Sequence, residues 1–190
     1  TRFNFIEKIA NFRYNNEYDL GTVNGYIFAL IAYNSGAYAL PQDARWTEDA
    51  IIAYLSSVQG NDGGWSLFAD INAKSDVDLT AMAITALVPY QANPIVGRML
   101  DKSVAFLSGA QTPNGGFSSI EGENSNSAAQ VLLALAALDI DPNTDARFIK
   151  GDNTVLDALL SSATDDLRLG FTDNAAANDM STLQGFLAFT

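Results

Sequence analysis

The sequence predicts an all-α domain of about four helical hairpins, laid out as an inner and an outer layer of helices. Three observations carry this. A Gln…Gly-Gly-aromatic turn recurs at a period of about fifty residues. Two kinds of helical segment alternate between the turns. No useful length of chain alternates apolar and polar residues as a half-buried strand would.

The turn is the sharpest signal. Val58 to Ser66 aligns with Ala110 to Ser118, so that Gln59 meets Gln111, Gly63-Gly64 meets Gly115-Gly116, and Trp65 meets Phe117. Ahead of the turn, Tyr54-Leu55 meets Phe106-Leu107. A weaker copy follows Leu159-Leu160 and ends at Gly170-Phe171, which places Phe171 against Phe117. The first copy, around Phe5 to Tyr18, lacks the Gly-Gly-aromatic signature.

The helix before the turn has one apolar stripe. Ile51, Tyr54, Leu55 and Val58 fall at i, i+3, i+4 and i+7, with Ser56, Ser57 and Gln59 elsewhere. Such a helix keeps a wet face. The helix after the turn is apolar nearly all round, as in Val131, Leu132, Leu133, Leu135, Ala137 and Leu138. It must be covered on most sides. Segments of this second kind begin near Asn24, Asp78, Asn126 and Met180. Half-wet helices alternating with covered ones imply two layers, the outer shielding the inner.

Composition narrows the function. The 190 residues carry a net charge of −12, which disfavours nucleic acid and anionic membrane surfaces as partners. There is no cysteine and no histidine. That removes disulfides, thiol nucleophiles, His-assisted catalysis and the usual zinc ligands. No apolar run is long enough to insert in a bilayer. No cofactor is expected. The chain reads as one domain over 1–190, and its end inside the apolar run Gly185 to Thr190 reads as a helix in progress within a longer protein.

These repeats resemble those of squalene cyclases and protein prenyltransferases. Asp76-Val77-Asp78-Leu79-Thr80-Ala81 is similar to the Asp-x-Asp-Asp-Thr-Ala acid motif of class II terpene cyclases, with Leu79 standing where that motif has its last Asp. The order and spacing over roughly 47–190 more narrowly resemble the prenyltransferase-like domains of bacterial cell-surface proteins, which are related to cobalamin carriers. The resemblance implies an α/α toroid. The family ring has six hairpins and this chain shows four, so an open arc, or a ring completed by further sequence, is expected. An extracellular or cell-surface location goes with it.

The candidate site is the set of polar residues at the inner-helix starts and one turn deeper. They are Asn24, Asp76, Asp78, Asn124, Asn126, Gln130, Asn178, Asp179 and Gln184, with Thr22, Phe28 and Met82 at aligned places. Converging helix starts of this kind suit a polar ligand, although Asp, Asn and Thr there also serve as N-caps. Asp78, with Asp76, is the candidate catalytic acid, but the motif's last Asp and a partner His are missing. The turn aromatics Trp65 and Phe117 read as packing plugs. Trp46, Tyr14, Tyr18, Tyr26, Tyr33 and Tyr38 read as a groove lining. Asn61-Asp62-Gly63-Gly64 offers calcium-type oxygens without a calcium-loop spacing. The expected function is non-catalytic binding of a small molecule or cell-surface partner. The alternatives are a terpenoid-cyclase-like or prenyltransferase-like enzyme using Asp78, and a structural spacer of a cell-wall protein.

Overall fold

The computed structural model describes residues 4–14, 16–119, 122–173 and 175–189. Four outer helices alternate with four inner ones. The outer set is α1 (Phe5–Ala10), α3 (Glu48–Ser57), α5 (Pro94–Ala110) and α7 (Val155–Ser161). The inner set is α2 (Val23–Asn34), α4 (Val77–Leu87), α6 (Ser125–Ala137) and α8 (Asp179–Ala188). The strandless expectation has one small exception. Ser118–Ser119 (β1) and Gly122–Glu123 (β2) pair antiparallel in the loop before α6.

Amphipathicity decides the layers. On α5, Val96, Met99, Leu100, Ser103, Val104 and Leu107 are buried, which is a helical stripe facing inward. Inner helices α2, α4 and α6 lie side by side, α6 packs on α8, and each of α3, α5 and α7 backs its own inner neighbour. One contiguous apolar core runs through the array, with Ile27, Leu30, Ile84, Leu87, Leu107 and Leu135 fully buried. The inner helix α8 breaks the expectation of cover: Met180, Leu183 and Phe186 are 65%, 62% and 58% exposed. Among the described residues no further helix packs on its other flank.

The joint between outer and inner helix is built from the recurrent turn. Gln59 Nε2 donates to Gly63 O within the turn and to Met99 O on the next outer helix, at 2.8 and 3.0 Å. Gln111 repeats this to Gly115 O and Phe148 O, at 2.8 and 2.9 Å. Gly63 and Gly115 have φ of +97° and +87°. A Cβ on either would lie 2.5 Å from Lys102 O or 2.2 Å from Thr154 O. Glycine is therefore needed twice over, for the left-handed backbone and for the approach of the next outer helix. The aromatic that follows is a plug. Trp65 and Phe117 are fully buried, and Trp65 Nε1 donates to Leu55 O at 2.9 Å.

The third joint corrects the sequence alignment. Asp76 N bonds to Trp65 O, Asn124 N to Phe117 O and Asn178 N to Leu169 O. Gly60 N reaches Gly64 O, Thr112 N reaches Gly116 O and Thr164 N reaches Arg168 O. The plug of the third joint is thus Leu169, which is 5% exposed, and not Phe171. Leu167 then stands where Gly63 and Gly115 stand, and it keeps their left-handed backbone with φ +63°. Ala163 stands where the glutamines stand. A conspicuous Gly-Phe pair drew the sequence alignment two residues too far.

Candidate functional site

Because each outer helix runs up and each inner helix runs back, the inner helices all start at one rim. Hydrogen bonds tie that rim together: Val23 N donates to Leu67 O and Ser125 N to Phe171 O. Asp76, Asn124 and Asn178 are N-caps, their side chains accepting from Leu79 N, Ser127 N and Ser181 N at 2.8, 2.9 and 2.9 Å. Each relieves a free N–H of the first turn. Thr22, in the same place on α2, makes no such bond.

Two residues further on stand Asn24, Asp78 and Asn126. All three are half-buried, and in each Oδ1 is buried without a hydrogen-bond partner. Burial raises the Asp78 carboxyl above the usual carboxylate range. Ser127 on the neighbouring inner helix acts in the opposite sense, and the charge of Asp76 adds to the rise. Ser127 Oγ and Asp78 Oδ1 nonetheless make no hydrogen bond of good geometry. Leu79 is 3% exposed and packs into the core, so the place of the motif's last Asp is apolar.

A cavity of about 1190 Å³ opens at this rim. Asn24, Asp76, Asp78 and, one turn deeper, Met82 form its inner edge. The loop before α4 supplies Asp62, Leu67, Phe68, Lys74 and Ser75, and Ser118, Ser119, Phe106 and Gly109 close the far side. Of the nine candidates, only Asn24, Asp76 and Asp78 converge on it. Asn124 lines a separate polar pocket of about 210 Å³ with Glu123 and Asp173. Asn126 and Gln130 lie along α6 away from the cavity, and Asn178 caps α8. Asp179 is fully exposed and meets Arg168 at 2.8 Å, a surface pair of little weight. Gln184 is half-buried, with Oε1 unpartnered. The fourth repeat contributes Met180 where the others have Asn or Asp.

Two other expectations are resolved by geometry. Tyr26 and Tyr33 are buried, and Tyr26 stacks on Tyr54 at 3.7 Å with Trp46 edge-on at 5.1 Å. Tyr14, Tyr18 and Tyr38 are exposed, and none of these six aromatics lines the cavity. They form a buried cluster and scattered surface rings, since stacking and cover drew the inner ones into the core. Asp62 is a loop clasp. It accepts from Ser75 Oγ and Ser75 N at 2.6 and 3.0 Å. Burial works to raise its carboxyl, but these bonds and that from Gly64 hold it below the usual range. Among the described residues no three acidic side chains gather as a metal site would need.

Sequence reasoning missed Phe68, Lys74 and the Ser118–Ser119 edge. The signal available was the extra length of the loop between Trp65 and Asp76, against that between Phe117 and Asn124.

Parallel inner rods sheathed by outer ones, with a polar rim at their starts, define an α/α toroid. The chain belongs to the prenyltransferase alpha-alpha toroid domain family, whose model matches residues 5–166. Among solved structures it resembles a Candida albicans protein geranylgeranyltransferase-I complexed with GGPP, at TM-score 0.62 and 15% identity. The match covers 91% of this chain and 50% of that one, so the chain spans half the length of this relative. No curated protein matches. Among the described residues no helix is long and apolar enough to cross a membrane.

Proposed function

We propose that this domain is a non-catalytic binding module, displayed outside the cell, whose ligand seat is the cavity at the inner-helix rim. The observation that supports it most is the convergence of Asn24, Asp76 and Asp78 on one cavity of about 1190 Å³, edged by Met82, Leu67 and Phe68. A few polar groups set in an apolar concavity is the usual make-up of a ligand site. The solved relative's GGPP makes isoprenoids one probe class, and corrinoids and glycans are the others. Titration of the chain with these three classes tests the proposal. Saturable binding weakened by Asn24→Ala supports it, and silence across all three refutes the small-ligand form.

One observation favours an enzyme instead. Asp78 sits where burial favours the protonated acid, as protonation of an alkene requires. Against it, Leu79 replaces the motif's last carboxylate and no imidazole exists in the chain. Incubation with squalene or a prenyl diphosphate decides between the two. Turnover that Asp78→Asn abolishes establishes the enzyme. A spacer role predicts that changes at Asn24 and Asp78 alter stability and nothing else.

A further inference from the structure

The charge and the shape of the rim cavity bear on what it takes, given that it is the binding seat. Its charged lining is three carboxylates, Asp62, Asp76 and Asp78, against one ammonium, Lys74. The Asp62 carboxylate is fixed in place by Ser75 and Gly64. The Asp76 carboxylate occupies the position at the α4 start where an anion would otherwise collect, because it already accepts from Leu79 N. A phosphate or diphosphate entering here meets like charges, in a chain that is itself −12. The carboxylates that line the cavity, Asp62, Asp76 and Asp78, are acceptors when ionised and call for N–H or O–H groups, while the unpartnered Oδ1 atoms of Asn24 and Asp78 are themselves buried.

The other half of the cavity is apolar and prearranged. Phe68 is 80% exposed at its lip. It is held there by a clasp in which Ser66 Oγ donates to Asp70 O and accepts from Asp70 N, at 2.9 and 3.0 Å. Next to it Ala69 has φ +59°, a left-handed conformation that a non-glycine residue adopts only at a cost. The loop is also pinned by Val23 N to Leu67 O at 3.1 Å. An exposed ring carried on a strained, doubly clasped loop is placed to meet an apolar group.

We infer that the rim cavity takes a neutral or cationic amphiphile whose headgroup carries hydrogen-bond donors, and that it rejects polyanionic headgroups. The tail lies against Phe68, Leu67 and Met82. The headgroup lies toward Asn24 and Asp78. This rests on the cavity being the binding seat.

Three probes with one tail separate head from tail: decylamine, decyl glucoside and decyl phosphate, titrated calorimetrically below their micelle concentrations into the 190-residue chain. The amine and the glucoside are expected to bind, with the phosphate about tenfold weaker or worse at low salt. Added salt is expected to narrow the gap between amine and phosphate. Asp78→Asn narrows that gap too. Phe68→Ala, at a site too exposed to unfold the chain, weakens all three alike. Phosphate binding as tight as the amine overturns the headgroup inference and leaves the seat standing. Binding that ignores Phe68→Ala places the probes elsewhere and overturns it as well. No binding by any probe defeats both this inference and the small-ligand reading beneath it.

Discussion

The first two joints and the third share a backbone and differ in what they hold. Gly63, Gly115 and Leu167 are all left-handed, at φ +97°, +87° and +63°. At the first two, glycine lets the next outer helix press against the turn, and Gln59 or Gln111 ties it down. At the third, a leucine side chain stands 77% exposed where that helix would lie, and Ala163 offers no amide. The same turn thus serves as a socket twice and as a bare corner once. Backbone conformation alone does not make the socket. The missing side chain of glycine and the amide of glutamine do.

The largest test of this contrast is in the core beside it. Leu135→Ala on α6, fully buried, is expected to cost about 3 kcal/mol in urea unfolding. Leu183→Ala on α8 is expected to cost under about 0.5 kcal/mol, since that side chain is 62% exposed. Equal costs would mean that α8 is covered after all. Next, Gly115→Ala places a Cβ against Thr154 O at a left-handed residue, and a loss of about 2 kcal/mol or more is expected. Leu167→Gly should do the reverse, gaining about 1 kcal/mol by relieving the same conformation where nothing packs. Gln111→Ala leaves Gly115 O and Phe148 O without their donor and should cost about 1–2 kcal/mol. Ala163→Gln should change stability little.

The smallest effect concerns pH. The folded-state pKa of Asp78 lies above its unfolded value, so its stabilising contribution is full below the unfolded pKa and is lost as pH rises through the folded one. Asp78→Asn should therefore raise Tm at pH 7. The gain should shrink as the buffer is taken down through the carboxylate range near 3.8. A gain that stays constant with pH would assign it to packing instead.

The layering was legible because it is periodic: the stripe of Ile51, Tyr54 and Leu55, and the all-round apolar run of α6, are facts about the chain itself. The caps Asp76, Asn124 and Asn178 were legible for the same reason. Leu169 as the third plug was not, because a buried leucine looks like any other leucine. The rim cavity was only half legible. Asn24 and Asp78 repeat in register, as do Thr22 and Asp76, whereas Phe68 and Lys74 sit on a loop particular to one joint. Nor did composition foretell that α8 would be bare, since cover comes from neighbours.

Helix α8 leans on α6 along one flank and faces solvent on the other. In an array held by adjacent contacts, strength is not spread evenly. The molecule has a firm middle and a loose end. Among the inner helices, amide protons of α8 should exchange first, with those of α4 outlasting them. Thermal breathing should then loosen that hairpin while the rim cavity, lined from α2 to the loop before α6, keeps its shape.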